Sequence, residues 1–395
     1  MVHKQLWEIA EAMKPWLVEV RRDFHRHPEL GMEEYRTRDK IVQYLQEMGI
    51  PHKANIANTG VVGFIEGGSS GRTVALRADM DALPIAEQND VVYKSTVPGK
   101  MHACGHDAHM AILLGAARLL NGQKSHLSGN VKLIFQPAEE TVGGAKPMIA
   151  AGVLDSPKVD AAFGLHVAPE IPVGQIGWRY GQMNAASDTI LITVKGNKAH
   201  GASPHTGTDA VVIAAHVITA LQTIVSRNVD PRQSAVISIG AIQGGTQGNI
   251  IADEVTMTGT VRTLDPDVRQ TVLQRIDDVL QYTTRSMGGD YAFELGDDGY
   301  IALINDDAMV DIVKQSGETL LGKENVTQIP LPSMGVEDFS YFAAAVPSAF
   351  YRLGCRNEAK GIVHGAHTSR FDIDEDCLPI GSALQALNAL TFLTT

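Results

Sequence analysis

Apolar runs of strand length alternate with helical patterns through the first 165 residues of the chain. The strand-like runs cover residues 61–65, 74–76, 131–135 and 161–165, and a helical pattern covers about 108–120. Strands that alternate with helices are typical of a mostly parallel sheet covered by helices on its faces. The sequence therefore predicts an α/β catalytic domain with a mostly parallel sheet.

Near the middle of the chain the pattern of apolar residues changes. Ile190, Ile192 and Val194 alternate with Thr189 and Thr193. Strict alternation predicts a strand with one face buried and the other exposed. This segment predicts a second kind of sheet, which is covered on one side only.

The elements that follow complete a second domain. Strands are predicted near 188–195, 234–242, 254–264 and 291–295, and helices over 209–227 and 266–287. Asp265 supplies an N-cap for the second helix, with Pro266 at its first position. The order βαββαβ is that of a ferredoxin-like α+β unit. We expect residues 186–296 to form an inserted lid or dimerisation domain, and residues 1–185 and 297–395 to close into one discontinuous catalytic domain.

Composition excludes several classes of partner. The formal net charge of −12 argues against nucleic acid, because phosphate binding needs a dense cationic surface. The N-terminal segment carries Glu8, Glu11 and Glu19 among its apolar residues, which predicts an amphipathic helix and neither a signal peptide nor a membrane anchor. Three scattered cysteines give no disulfide framework. We expect a soluble protein of the reducing cytoplasm.

One short segment concentrates metal-binding residue types. MHACGHDAH places Cys104, His106, Asp107 and His109 within six positions at the start of a predicted helix. Thiolate and imidazole ligands suit zinc or a similar transition metal. Histidines at a helix start are also common as simple polar caps, so this segment alone leaves both interpretations open.

Further polar residues follow the predicted buried strands. Glu139 and Glu140 come after the third run, His166 after the fourth, and Asp79 and Asp81 after the second. Open α/β sheets bind ligands at the carboxyl ends of their strands, which favours one shared crevice over a solvated carboxylate pair and a core histidine. For the aspartates, ligation of a metal, support of a ligand and a simple turn or N-cap role remain open.

Several ordered motifs resemble a known family. They are RADMDALP (77–84), MHACGHDAH, QPAEE, GLHV (164–167), KGNKAHGASPH (195–205), the Gly248 and Asn249 pair, GTVRT (259–263), SMGVEDF (333–339) and the late His367. Together they look like the hippurate hydrolase and indoleacetyl-amino-acid hydrolase branch of the aminoacylase and carboxypeptidase superfamily. Ala252 departs from the proline that is usual there, which concerns the shape of that loop.

The resemblance implies a site with two divalent metal ions, whether zinc, manganese, cobalt or nickel. Its implied ligands are Cys104, His106, Glu140, His166 and His367. It implies that Glu139 is the general base in cleavage of an N-acyl amino acid or small peptide by a metal-activated water.

The resemblance also implies roles outside the metal site. His200 and Asn249 would contact the substrate or the oxyanion, in their own or the partner subunit's site, and Arg262 is a candidate for the substrate carboxylate. A homodimer or higher homo-oligomer is expected.

Two other functions compete with this interpretation. Residues 67–71 match the G-x-S-x-G motif of serine hydrolases, but a strand pattern follows where that motif requires a helix. A catalytically silent metal- or peptide-binding protein on the same fold is the second alternative. Because the sequence retains both the ligand set and a separate base, hydrolysis is favoured.

Overall fold

The structure is a computed structural model that describes residues 2–297 and 299–395. Met1 and Asp298, which the predicted domain ranges include, lie outside the described residues. The chain divides into two compact units. The first comprises Met1–Gly181, Ile304–Leu331 and Asp338–Thr395, and the second comprises Gln182–Leu303 and Pro332–Glu337.

Ten α-helices are described across both units. They are α1 (Val2–Ala12), α2 (Lys14–Arg26), α3 (Tyr35–Glu47), α4 (His106–Gly122), α5 (Ala145–Ala150), α6 (Ala210–Arg227), α7 (Pro266–Ser286), α8 (Asp307–Leu321), α9 (Ser340–Ala345) and α10 (Cys377–Thr394).

Sixteen strands accompany them in the described residues. They are β1 (His52–Ile56), β2 (Gly60–Glu66), β3 (Ser69–Asp79), β4 (Ser128–Gln136), β5 (Ala161–Pro172), β6 (Ile176–Trp178), β7 (Gly181–Asn184), β8 (Ala186–Lys195), β9 (Ala199–His200), β10 (Ala235–Gly244), β11 (Ile250–Ile251), β12 (Glu254–Thr263), β13 (Asp290–Leu295), β14 (Leu303–Asn305), β15 (Val326–Gln328) and β16 (Ser348–Arg356).

An eight-stranded sheet forms the centre of the first unit, in the order β1-β2-β4-β3-β5-β16-β6-β15. The central strands β4, β3, β5 and β16 run parallel to one another, whereas β1, β2 and β4 pair antiparallel at one edge. The predicted α/β class with a mainly parallel sheet is confirmed.

Helix α4 lies in the middle of the first unit. It is apolar on nearly all sides and almost every residue is buried, because α10 and β3 both pack against it. Its N-terminus therefore has a fixed position beside the carboxyl ends of the parallel strands, where open α/β sheets bind their ligands.

The second unit is built on a four-stranded antiparallel sheet in the order β10-β12-β8-β13, with α6 and α7 packed against it. Ile190, Ile192 and Val194 face its core, as their alternation predicts. The Asp265 side chain accepts hydrogen bonds from the backbone N–H groups of Asp267 and Val268 at the start of α7. In chain order β8-α6-β10-β12-α7-β13, this is a ferredoxin-like topology.

The boundaries of the second unit differ from the ranges expected from sequence. Residues 332–337 were expected in the catalytic domain. Instead, Ser333 N–H donates to the Met183 carbonyl at 2.9 Å, and Ala185 N–H donates to the Gly335 carbonyl at 3.0 Å. These are backbone contacts between distant segments, so no periodicity of side chains reports them.

Helices α6 and α10 are long and apolar enough in composition to cross a membrane. Helix α10 is 83% buried within the first unit. Helix α6 is one-third buried, with Ile213, Val217 and Leu221 packed into the core of the second unit. Helix α10 is thus a core helix of the first unit, and α6 packs one face onto the core of the second unit.

Candidate active site

The strands and one helix of the first unit bring the predicted site residues to one edge of its sheet. Strand β3 ends at Asp79, which pairs in register with Gln136 at the end of β4. The loop after β4 carries Glu139 and Glu140, and Cys104 lies two residues before α4. His166 lies within β5, which continues six residues beyond it, whereas the sequence pattern ended that strand at residue 165.

The five predicted metal ligands form one cluster. The Cys104 sulfur lies 3.2 Å from His166 Nε2 and 3.3 Å from His367 Nε2. Glu140 Oε1 lies 3.1 Å from His367 Nε2 and 3.9 Å from His106 Nε2. Residues separated by up to 263 positions in the chain therefore present their donor atoms to the same small volume.

The hydrogen bonds of the His106 and His166 imidazoles fit a metal site. The Nδ1 atoms of His106 and His166 lie 2.8 and 2.7 Å from the backbone carbonyls of Asp81 and Val167, to which they donate. Each Nε2 is then left with a lone pair, which is the arrangement typical of metal-ligating histidines. Within residues 2–297 and 299–395, no hydrogen-bond partner satisfies the buried His106 Nε2.

The donor atoms also fit more than one ion. Cys104, His106 and His166 form a group whose donor atoms lie within 4.8 Å of one another, and Cys104, Glu140 and His367 form a second group. The two groups share the cysteine. Thiolate, imidazole and carboxylate are the ligand types of zinc and related divalent ions, so the residues suit a dinuclear site.

The two aspartates whose roles the sequence left open have different surroundings. Both oxygens of buried Asp79 are occupied, by Arg77 at 2.7 Å and by His109 Nδ1 at 2.6 Å. Asp81 instead accepts the backbone N–H groups of Glu139 and Glu140 at 3.1 and 3.0 Å. Asp81 therefore fixes the loop that carries both glutamates.

His109, which belongs to the same motif as His106, has a complete set of partners. Its Nδ1 donates to Asp79, and its Nε2 accepts from the Val167 N–H at 2.9 Å. Neither nitrogen has a lone pair left for a metal ion. The structure thus distinguishes His106, whose Nε2 has no hydrogen-bond partner among the described residues, from His109, which supports the strand ends.

Sequence reasoning missed the residues that hold the strand ends in place. Asp338 accepts hydrogen bonds from Gln136 Nε2 at 2.7 Å and from Arg77 Nη2 at 2.8 Å. Buried Glu34 accepts from the Ala138 N–H at 2.9 Å. Asp338 lies in the SMGVEDF motif, which was a signal for it, whereas nothing in the local sequence distinguished Glu34 from a surface carboxylate.

The backbone adopts left-handed conformations at three positions in or beside the site. Ala138 has φ of 54° and His367 has φ of 61°, which are uncommon for residues other than glycine. Gly105, between Cys104 and His106, has φ of 92°, and a Cβ there would lie 2.3 Å from Val167 Cγ2. Glycine is therefore required between these two ligands.

The cluster holds protons that a cation would displace. Burial, followed by the carboxylate of Glu140, raises the pKa of the Cys104 thiol well above its usual range. Although burial opposes it, the charges of Asp79 and Cys104 raise the pKa of His106. Since ligands bind a metal in their deprotonated form, metal affinity should fall as the pH is lowered.

The remaining predicted residues lie in the second unit. His200 on β9 pairs with Ile250 on β11, and Gly201 N–H donates to the Asn249 carbonyl at 2.8 Å, so His200 and Asn249 lie close together at one small two-stranded sheet. Arg262 lies on β12, and burial lowers its pKa. Ala252 is buried nearby, and its carbonyl accepts from the N–H that begins α6.

The serine-hydrolase motif lacks its required context. Residues 67 and 68 join β2 to β3, and residues 69–71 are the first three residues of β3. A nucleophile elbow needs a strand followed by a helix. The segment is a strand connection that continues into β3.

Comparison with known families identifies the group to which this site belongs. Residues 75–389 match the family model described as peptidase family M20/M25/M40. The chain belongs to this family. The superfamily inferred from the motifs is confirmed, and so is the enzyme class: the protein is a hydrolase of the amidohydrolase branch.

Individual members of the M20/M25/M40 family resemble the chain along nearly its whole length. Thermostable carboxypeptidase 2 of Saccharolobus solfataricus is 40% identical over 395 residues, with 99% of each chain covered. An IAA-amino acid hydrolase of Arabidopsis thaliana is 40% identical over 381 residues, covering 96% of this chain and 86% of the relative. A solved structure, described as a dinuclear metal-binding peptidase of Bacillus subtilis, is 34% identical with a TM-score of 0.86, covering 98% and 99% of the two chains.

Proposed function

We propose that the protein is a metal-dependent amidohydrolase that cleaves the amide bond of N-acyl amino acids. The observation that carries this proposal is the convergence of Cys104, His106, Glu140, His166 and His367, with an unsatisfied buried nitrogen on His106. The IAA-amino acid hydrolase and the dinuclear metal-binding peptidase among the relatives support both the substrate class and the cofactor.

The five clustered residues would hold two divalent ions, drawn from zinc, manganese, cobalt and nickel. Bound there, such ions supply a nucleophilic water near neutral pH and polarise the amide carbonyl. Cys104 belongs to both donor groups of the cluster, so its thiolate is the proposed shared ligand.

Glu139 is the proposed general base. Its side chain is buried, and its carboxylate forms a third group of neighbouring donor atoms with His106 and Glu140. A carboxylate at that position can take a proton from the attacking water and deliver it to the leaving amine. The Asp81 carboxylate accepts hydrogen bonds from the Glu139 and Glu140 backbone N–H groups, so the backbone that carries both carboxylates is held in place.

Replacement of the shared ligand tests the metal site. Cys104→Ala should lower the bound metal from two ions per chain and remove most turnover, because both donor groups lose a member. Metal content is measured by mass spectrometry on purified protein, and turnover by chromatography of acetyl, benzoyl and indoleacetyl amino acids. Cys355→Ala, a buried cysteine outside the cluster, is the control. Unchanged metal content and unchanged turnover in Cys104→Ala would remove this residue from the site.

The same substrates distinguish hydrolysis from silent binding. A binding protein on this fold would take up metal and N-acyl amino acids without releasing an amine. We expect release of the amine by the metal-loaded protein and its loss on addition of a chelator. No released amine from any of the three acyl series would favour the silent alternative.

We further propose that the second unit mediates homodimer formation and that His200, Asn249 and Arg262 contact substrate. In the described residues, strand β10 pairs only with β12, which leaves its other edge open. That edge strand carries no charged residue, whereas β13 at the opposite edge carries Asp290 and Glu294. An uncharged strand edge is a template for pairing with a second copy, and charges protect the other edge.

A lysine placed on the open edge should prevent dimer formation. Ile242 on β10 is 54% exposed, and Leu295 on β13 is 43% exposed. We expect a dimer for the wild type and for Leu295→Lys, and a monomer for Ile242→Lys, measured by sedimentation velocity at working concentration. A monomeric wild type, or a dimeric Ile242→Lys, would contradict the proposal.

The reduced, buried cysteines are in keeping with the cytoplasmic location that we also propose.

A further inference from the structure

Arg352 lies beside the metal-ligand cluster and has no part in the chemistry described so far. Strand β16 runs parallel to β5, and Arg352 pairs in register with His166. Neighbouring strands lie about 4.8 Å apart, and paired residues of parallel strands project from the same face of the sheet. The Arg352 side chain therefore projects from the strand next to His166, on the same face of the sheet.

An aromatic ring supports the arginine on that face. Phe350 precedes Arg352 by two residues, so both project to the same side of β16. The guanidinium carbon lies 5.6 Å from the centre of the Phe350 ring, and this ring lies 6.5 Å from the His166 ring. Phe350 is fully buried, which makes it a fixed support for the cation.

The guanidinium of Arg352 places a permanent positive charge on the face of the sheet that carries His166, one strand away. A permanent cation at this position adds to the positive charge that divalent ions would bring. Such a site attracts and retains anions.

The proposed substrate carries an anion close to the bond that is cleaved. In an N-acyl amino acid, only the α-carbon separates the scissile amide nitrogen from the carboxylate. A carbonyl held at the cluster thus brings the carboxylate within a few ångströms of it. An arginine fork fits a carboxylate with two parallel hydrogen bonds, which a lysine cannot reproduce.

We propose that Arg352 binds the free carboxylate of the substrate and thereby makes the enzyme select N-acyl amino acids over neutral amides. This inference rests on the proposed function. It adds a recognition residue in the first unit to the substrate contacts proposed for the second unit, among which Arg262 was the candidate for the same carboxylate.

Two probes that differ only in the carboxylate test the proposal. N-acetyl-L-methionine carries it, and N-acetyl-L-methionine amide does not. The quantity measured is the ratio of kcat/KM for the acid to that for the amide. In Arg352→Gln we expect this ratio to fall by about 10- to 100-fold, since a hydrogen-bonded charge is lost, mainly through a higher KM for the acid. Arg352→Lys should give an intermediate ratio.

Arg356→Gln is the matched control. Arg356 lies on the same strand, but its guanidinium bonds Glu358 at 3.1 Å on the surface. Its ratio should equal that of the wild type. An equal loss for acid and amide in Arg352→Gln would mean that Arg352 supports the fold or the metal site, and would overturn the proposal. If the ratio of acid to amide falls in Arg262→Gln and not in Arg352→Gln, Arg262 binds the carboxylate and the proposal is overturned.

A binding measurement separates this inference from the proposed function. Calorimetric titration of the metal-loaded Glu139→Gln protein with both probes measures affinity without turnover. The comparison is with the double variant that carries both Glu139→Gln and Arg352→Gln. If the double variant binds the acid more weakly and the amide equally well, the carboxylate contact is supported. If the wild type releases an amine from neither probe nor any of the three acyl series, the proposed function fails, yet the same titration still decides whether Arg352 binds the carboxylate. Equal affinities for the acid with and without Arg352 would refute that contact.

Discussion

Glu139→Gln should retain its metal ions and lose nearly all activity. Glutamine keeps the shape of the side chain and removes the proton acceptor, and loss of general-base catalysis typically costs about a hundredfold to ten-thousandfold in rate. The loop itself should stay in place, because Asp81 holds the backbone N–H of residue 139 and not its side chain. Turnover of N-acetyl-L-methionine and bound metal are measured on the same preparation.

Glu140→Gln provides the comparison on the same loop. Glu140 Oε1 lies 3.1 Å from His367 Nε2, within the donor cluster, so its replacement should weaken metal binding. Excess metal ion should then restore part of the activity of Glu140→Gln and none of that of Glu139→Gln. If Glu139→Gln hydrolysed its substrate at nearly the wild-type rate, the proposed mechanism would be wrong.

The fold class and the family could be predicted because their signals are local. Apolar strands such as residues 131–135 and 161–165 lie in the central sheet, and the alternation of Ile190 and Ile192 marks the one-sided sheet of the second unit. Periodicity reports which face of an element is buried. The predicted ligands could be proposed because they follow these strands, and the structure brings all five together; their roles remain predictions.

Contacts between distant segments could not be predicted in this way. Glu34 resembles a surface carboxylate in the sequence, and the motif that contains Asp338 does not indicate its partners, yet both are buried and hold the strand ends at the site. The pairing of Ser333 with Met183 uses only backbone atoms. A carboxylate becomes structural through a partner far away in the chain, and periodicity contains no information about that partner.

A buried ion network beneath the N-terminus of α4 shows the same limitation. Arg21 on α2 is completely buried, and its guanidinium bonds the carboxylate of Asp107 at 2.7 Å. The same guanidinium lies 3.0 Å from Asp372 and 3.4 Å from Glu375, in the segment after His367. Arg21 thus connects α2, the start of α4 and the chain that follows His367.

Loss of this arginine should strongly destabilise the protein. Breaking a buried ion pair from one side costs about 3–5 kcal/mol, because the remaining charges stay buried without compensation. We therefore expect Arg21→Met to lower the free energy of unfolding by this amount near pH 7. Arg22→Met is the control: Arg22 is partly exposed, forms an ion pair with Glu375 and lies over the Tyr93 ring, so its loss should cost less than about 1 kcal/mol.

The pH dependence of the loss in stability identifies the carboxylate through which Arg21 stabilises the fold. Although burial opposes ionisation, Arg21 and His25 hold the pKa of Asp107 well below its usual range. An aspartate with a lowered pKa stabilises the fold above its unfolded pKa of about 3.9, and this stabilisation is lost as the pH falls further. In Arg21→Met the pKa of Asp107 should rise, so the difference in stability from the wild type should shrink as the pH falls from 7 to below 4. Urea unfolding at fixed metal concentration measures the free energy of unfolding of both proteins at each pH. A difference between them that did not change with pH would mean that Arg21 stabilises the fold through packing and not through Asp107.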